Sequence, residues 1–258
     1  MALIKKFRIK SFKEQEPLLE LEKISMFYNK RQILNDLNLK INRQEVLGML
    51  GPNGVGKSTI FHIITGLKDP SYGKVLINGY DCTKLPIYER ATRFKLGYVP
   101  QYGGFIQDLN LIENLKLVAE IHIKEKDLRQ TKIEKLISQF EFDPILSIKA
   151  KHLSGGQKRK LVLALALLSE PKVLLLDEPF AALDVLTIKM LQEIIVNLQQ
   201  ENHITIAICD HQARDLLACV DAAMILSNGK IVAQDTPSNL VKDINAKNAY
   251  FGDNFKFN

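Results

Sequence analysis

Two hydrophobic periods alternate along this chain. Residues 45–50 (EVLGML), 173–178 (VLLLDE) and 204–209 (ITIAIC) are short and apolar at nearly every position, as strands buried in a parallel sheet are. Residues 18–22 and 33–41 read as short strands separated by polar turns, and 73–79 (GKVLING) as a hairpin strand closing a small antiparallel layer. A strand over 96–99 leads into Pro100-Gln101, and 222–226 with 230–233 form a last hairpin around Asn228-Gly229. Elsewhere the spacing is helical. It predicts helices over 58–65, with Gly66 as the stop, over 158–168, over 186–200 and near 237–243. From 111 to 142, Ile112, Leu115, Val118, Ile133, Leu136, Ile137 and Phe140 recur at helical intervals with charges between them. These elements predict an α/β protein carrying a helical insertion.

Composition narrows the picture only a little. The 258 residues, 46% hydrophobic, can bury one substantial core, and the length suits one large or two small domains. The net charge of +6 is spread along the chain rather than gathered in one stripe, so nucleic-acid binding is not expected from it, and a basic face beside an anionic membrane fits equally well. Cys82, Cys209 and Cys219 are odd in number and lack metal-ligand spacing, which points to a reducing compartment; Cys209 and Cys219 read as small buried hydrophobes. No apolar run approaches the roughly 18 residues of a spanning helix, and the N-terminus has no apolar signal core. The chain is therefore expected neither to cross a membrane by itself nor to be exported. Residues 1–17 form a basic extension. Its Leu3, Ile4 and Phe7 beside Lys5, Lys6, Arg8 and Lys10 suit either a membrane surface or a solvated tail.

The chemistry centres on Gly51, Pro52, Asn53, Gly54, Val55, Gly56, Lys57, Ser58 and Thr59, which fit the phosphate-loop pattern between a predicted strand and a predicted helix. Glycines let backbone N–H groups face a phosphate, and the helix N-terminus adds a positive dipole. Lys57 is expected to reach the β- and γ-phosphates and the Ser58 hydroxyl to ligate Mg²⁺. Asp177 and Glu178 end an apolar strand side by side, an arrangement that is costly unless a cation or a reaction occupies the site. Asp177 is expected to hold Mg²⁺ through water, and Glu178 to polarise the attacking water as general base. Residues 153–157 (LSGGQ) offer a second set of helix N-terminal N–H groups and a hydroxyl. Asp210-His211 stands at the end of the 204–209 strand, where open parallel sheets bind ligands, which favours a γ-phosphate contact for His211. Tyr28, ahead of the loop, either stacks on a base or packs on a sheet edge.

The ordered set of GPNGVGKST, Gln101, LSGGQ, VLLLDEP, Leu183-Asp184 and His211 resembles the ATP-binding-cassette ATPases over residues 18–233. The resemblance implies a RecA-like α/β core, an antiparallel β subdomain and an α-helical subdomain at about 102–159. The cassette would span 18–235, followed by a C-terminal helix and tail at 236–258. It also implies a homodimer closing head to tail around two ATP molecules. Tyr28 would stack on adenine, Ser58, Gln101 and Asp177 would surround Mg²⁺, Glu178 would be the base and His211 the γ-phosphate sensor. Ser154, Gly155, Gly156 and Gln157 would cover the ATP held by the other subunit, and Asp184 would tie the two sites together.

Within the family, Tyr88-Glu89-Arg90-Ala91, Asp177-Glu178-Pro179-Phe180-Ala181, Asp210-His211-Gln212-Ala213-Arg214 and the tail Tyr250-Phe251-Gly252-Asp253-Asn254-Phe255 resemble the subunits that power lipopolysaccharide export. That implies attachment to the cytoplasmic face of the inner membrane through two transmembrane permease partners, received in a groove near Phe105 and Ile106. Gln107 stands where the family commonly carries an arginine. The competing resemblance is to the ATPase subunit of branched-chain amino-acid importers, against which Phe180 and the aromatic tail speak. A soluble cassette ATPase acting on ribosomes or DNA usually carries two cassettes or a long coiled coil, and this chain shows one cassette and neither addition.

Overall fold

The computed structural model describes residues 17–253 and Phe255. Residues 1–16 of the basic extension, with Asn254 and 256–258 of the tail, lie outside the described residues. Strands β1 (Pro17–Tyr28), β2 (Arg31–Asn42), β4 (Tyr72–Ile77) and β5 (Tyr80–Asp81) make an antiparallel sheet in the order β2-β1-β4-β5. The first two strands are longer than their alternation suggests. Lys23 (φ 48°) breaks the pairing register between Leu21 and Ile24 and Asp36 (φ 50°) breaks it between Ile24 and Met26, so the period of two slips in mid-strand and a pattern reading stops there.

The second sheet has the order β10-β9-β3-β8-β7-β6, from β3 (Val46–Leu50), β6 (Leu96–Val99), β7 (Val173–Asp177), β8 (Thr205–Cys209), β9 (Ala222–Ser227) and β10 (Lys230–Asp235). Every pair is parallel except β9–β10, whose hairpin turns at Asn228 (φ 48°) and Gly229 (φ 72°). Its strands β3, β7 and β8 are apolar except at Asp177 and Thr205 because both faces are covered. Leu174, Leu176, Ile206, Ile208, Ala223 and Ile225 join one core with the helices behind the sheet. Val173, Leu175, Ala207, Cys209, Ala222 and Met224 join a second core, shared with the antiparallel sheet and helix α1 (Lys57–Thr65). This strict alternation decides which side chains near the strand ends face α1.

Behind the sheet lie α3 (Leu111–His122), α4 (Lys126–Phe140), α5 (Gly155–Leu167) and α6 (Val185–Gln200), while α2 (Ile87–Phe94) precedes β6. Helix α5 starts three residues before the predicted 158. The Ser154 hydroxyl accepts from the Gln157 N–H (3.2 Å) and the Gln157 side chain accepts from the Ser154 N–H (2.9 Å), a reciprocal cap that draws Gly155–Gln157 into the first turn. After α7 (Ala213–Leu217), the helix predicted near 237–243 is instead α8 (Pro237–Leu240), then α9 (Ile244–Ala246), then a π-helical turn, Lys247–Phe251. Asp243 causes the break, since its carboxylate accepts from the Ala246 N–H and starts a new helical turn. Among the described residues, no helix is long and apolar enough to cross a membrane.

Arg90 of α2 is fully buried and ties α1 to the segment before α2. Its guanidinium donates to the carbonyls of Ile63 (2.6 Å), Ile64 (2.9 Å), Thr83 (2.9 Å) and Leu85 (2.8 Å). Burial draws its pKa below the ordinary arginine value, and the negative C-terminal end of α1 supplies the compensating field. Arg90→Met would leave these carbonyls without their donor. It is expected to lower unfolding stability by about 3–5 kcal/mol in urea titrations, and a loss under about 1 kcal/mol would sink this account.

Candidate nucleotide site

The ends of four parallel strands build the site. β3 runs into the phosphate loop, β6 into Gln101, β7 into Asp177-Glu178, and β8 into Asp210-His211. Adjacent parallel strands with no stagger bring these ends to one edge of the sheet; Asp177 pairs with Cys209, and Cys209 with Met49. Within the loop, Gly51 (φ 154°) passes so near β9 that a Cβ there would lie 2.4 Å from the Leu226 carbonyl, and Gly56 holds φ 114° at the N-cap of α1. No larger residue fits either position, and the curled backbone leaves the α1 N-terminus facing outward.

Lys57 is buried and its ammonium donates to the carbonyls of Gly51 (2.7 Å) and Pro52 (3.1 Å). An ammonium has three N–H bonds, so one remains for an anion resting in the loop. The Ser58 hydroxyl donates to Asp177 Oδ1 (3.1 Å). Asp177 itself is buried and also accepts from Tyr98 O–H (Oδ2, 3.1 Å) and from the Cys209 thiol (Oδ1, 2.8 Å). Burial, with the Asp177 charge added, pushes both the Tyr98 phenol and the Cys209 thiol up, so both remain protonated donors. Cys209 is thus more than the small hydrophobe its neighbours suggest. Strand period two gives the reason: Cys209 faces the same side as Asp177, and reading the alternation across both strands would have found it.

Glu178 follows β7 in left-handed conformation (φ 48°), and its N–H donates to the Cys209 carbonyl (2.7 Å). Its carboxylate accepts from the Gln101 amide (2.7 Å) and stands 3.5 Å from His211 Nδ1. Behind His211, the buried Asp210 accepts from the N–H groups of Phe180 (3.0 Å) and Gln212 (2.9 Å), fixing the loop that carries the ring. Arg159 of α5 donates to the carbonyls of Pro100 (2.9 Å) and Gln101 (3.0 Å), which ties Gln101 to the helix whose cap and first turn are Ser154–Gln157. Burial pulls the Arg159 pKa down, and the charges of Asp210, Asp177 and Glu178 oppose that shift.

The other expected residues sit apart from this cluster. Among the described residues, no hydrogen bond joins Ser154–Gln157 to the phosphate loop. Ser154 and Gly155 are exposed, and a Cβ on Gly156 would lie 3.2 Å from Thr187 at the start of α6. Asp184 caps α6 through Leu186 N–H (3.0 Å), Thr187 N–H (2.9 Å) and the Thr187 hydroxyl (2.6 Å); the Thr187 bonds hold its carboxyl below the usual range. Tyr28 ends β1, half exposed, with Lys68 Nζ 5.6 Å from its ring centroid. Phe105 packs on the core behind the sheet, whereas Ile106 is 49% exposed.

The tail contributes something its sequence did not suggest. Tyr250 O–H donates to the His211 carbonyl (2.8 Å), and burial raises the Tyr250 pKa to about 12. Phe251 and Phe255 stack with centroids 4.6 Å apart, and with Tyr250 and Arg214 they line an open cleft of about 550 Å³ beside His211. Sequence reasoning missed Tyr98, Arg159, Cys209 and Tyr250 as neighbours of the site.

A glycine-strained anion loop, a buried lysine, a serine–aspartate pair and a partly buried glutamate at the ends of parallel strands define a phosphate-loop nucleoside triphosphatase. A family profile described as ABC transporter matches residues 34–181. The lipopolysaccharide export system ATP-binding protein LptB of Haemophilus influenzae is 37% identical over 243 residues, covering 93% of this chain and 99% of its own. LptB of Escherichia coli K12 is 32% identical over 239 residues, covering 92% and 98%. A solved dimeric ATP-binding cassette in a post-hydrolysis state, bound to ADP and phosphate, superposes with a TM-score of 0.77 at 25% identity over 85% of this chain and 98% of that one. The chain belongs to the ABC transporter family, as an ATP-hydrolysing subunit with the cassette fold.

Proposed function

We propose that this chain powers lipopolysaccharide export, working as a homodimer on the cytoplasmic face of the inner membrane beneath two membrane-spanning partners. The observation that carries the reading is the nearly end-to-end similarity to lipopolysaccharide export ATP-binding proteins. The exposure of Ile106, beside the partly buried Phe105, supports a contact there with the partners' cytoplasmic segments. The cassette comprises residues 18–235, with its helical subdomain at about 102–159 and the C-terminal helices and tail after it.

In this reading the loop amides and Lys57 bind the β- and γ-phosphates, and Tyr28 stacks on the adenine once Lys68 leaves its face or shares it. Ser58, Gln101 and Asp177 offer a hydroxyl, an amide and a carboxylate, the hard oxygen set that suits Mg²⁺, and Ser58 Oγ already meets Asp177 Oδ1 at 3.1 Å. Mg²⁺, when bound, neutralises charge building on the transferring phosphoryl group. Gln101 gives its N–H to Glu178, which leaves its amide oxygen for the metal. Glu178 takes a proton from the attacking water, and His211, 3.5 Å away, reaches toward the γ-phosphate. Ser154–Gln157, with Ser154 and Gly155 exposed and, among the described residues, no hydrogen bond to the chain's own loop, suit the nucleotide of a second copy, and Asp184 caps the helix whose Thr187 lies against Gly156. Loss of one such donor to a developing charge costs roughly 10²–10³ in rate elsewhere, so hydrolysis depends on the closed dimer.

The test is to tag the Glu178→Gln variant in its native cell, extract membranes in mild detergent with ATP and Mg²⁺, and identify the co-purifying proteins by mass spectrometry. Two membrane proteins with periplasmic β-rich domains, together with lipopolysaccharide, are the expected recovery. Amino-acid permease subunits, or ribosomal or DNA-bound proteins, would overturn the export reading.

A further inference from the structure

Strand periodicity and one helix face gather a shell of donors around a single carboxylate. Tyr98 on β6, Asp177 on β7 and Cys209 on β8 all point to the side of the sheet covered by α1. Ser58 and His62 are four residues apart on α1 and so share the face turned to them. The contacts follow that layout. Asp177 Oδ2 accepts from Tyr98 O–H at 3.1 Å, and Oδ1 accepts from the Cys209 thiol at 2.8 Å and from the Ser58 hydroxyl at 3.1 Å. The Tyr98 oxygen in turn meets His62 Nε2 at 3.4 Å, with the two rings edge to face at 6.2 Å. Tyr98 and Cys209 touch this carboxylate and His62 touches Tyr98, yet none of the three carries a role in the phosphate-loop chemistry.

We propose that Tyr98 and Cys209 are positioning residues, each giving one hydrogen bond to Asp177 so that its remaining lone pairs face Ser58 and the divalent cation of the nucleotide. The inference rests on the reading of Asp177 as that cation's carboxylate. Tyr98 holds Oδ2 and Cys209, beside Ser58, holds Oδ1, so rotation about the Cβ–Cγ bond would break the bonds at both oxygens at once. Both bonds are charge-assisted, one buried and one partly buried, which makes them directional. His62 carries the constraint back to α1, so the carboxylate and the Ser58 hydroxyl move as one unit. Partners of this kind behind a metal ligand typically change metal affinity 10–100-fold when removed.

The experiment uses the full chain and a fluorescent ATP analogue, titrated with Mg²⁺ and, separately, with a chelator present; Mn²⁺ bound in the nucleotide complex is followed by electron paramagnetic resonance. Tyr98→Phe and Cys209→Ala are each expected to raise the Mg²⁺ needed for tight analogue binding about tenfold or more and to change the Mn²⁺ spectrum, while chelator-phase binding stays as in the unmodified chain. Cys209→Ser, which keeps a donor, is expected to stay near the unmodified value. An unchanged Mg²⁺ requirement in Tyr98→Phe and Cys209→Ala overturns the proposal, as does an equal loss of binding with chelator, since that is general damage to the site. Asp177→Asn separates the two readings. If it leaves the Mg²⁺ requirement untouched, the assignment of Asp177 fails and this proposal falls with it; if it raises the requirement and the two donor variants do not, the positioning role alone fails. Should Cys209→Ala not fold, Tyr98→Phe decides alone, because it removes one oxygen and no volume from the core.

Discussion

Replacing Glu178 by glutamine is expected to preserve ATP binding while lowering turnover by a factor on the order of 10² or more. The amide is nearly isosteric with the carboxylate, and its oxygen can still accept from the Gln101 N–H that now lies at 2.7 Å. The left-handed backbone at residue 178 is unchanged by the substitution, so the side chain starts from the same place. What the variant loses is basicity, which only proton transfer from water requires. Phosphate release under saturating ATP measures the rate, and equilibrium binding of a fluorescent analogue measures affinity. A rate equal to that of the unmodified chain would remove Glu178 from the role of base; weakened binding would mean instead that the residue shapes the nucleotide pocket.

The second large effect is expected at Lys57, where methionine should weaken ATP binding roughly 10²-fold through lost charge-assisted bonds to phosphate. Methionine keeps most of the apolar stem, which is buried at the start of α1, and deletes the ammonium. Because that ammonium also donates to Gly51 and Pro52, part of the loss arises from a looser loop. The two contributions separate by measurement. Isothermal titration gives the nucleotide affinity, and the urea midpoint without nucleotide reports the loop's share of stability. An affinity within a factor of about two of the unmodified chain would show that the loop amides bind phosphate without the lysine.

Much of the architecture was legible because its causes are local. Residues 46–50, 173–176 and 206–209 are apolar because β3, β7 and β8 are covered on both faces, and the run itself carries that information. Gly66 takes the left-handed conformation (φ 79°) that ends α1, and Asn228-Gly229 makes the hairpin turn. The reading failed where a local pattern is interrupted by a local exception. The positive-φ residues Lys23 and Asp36 shift the register of β1 and β2, so twelve-residue strands looked short. The Ser154 cap pulled α5 forward to Gly155, and the Asp243 cap split the C-terminal helix.

The sequence by itself determined the phosphate loop, the acidic pair after β7, the 153–157 segment and the histidine after β8. Each is a contiguous set of residue types demanded by backbone geometry or by charge: glycine where φ is positive, a cation and a hydroxyl at the start of a helix, carboxylates at the end of an apolar strand. Only the tertiary structure decided which side chains surround them. The thiol of Cys209, the phenol of Tyr98, the guanidinium of Arg159 and the hydroxyl of Tyr250 meet their partners at the site across 32 to 79 residues of chain. Their proximity follows from strand register, from the period-two direction of side chains in parallel strands and from the packing of α5 and the tail. Those are non-local distances, and they exist only once the sheet has closed.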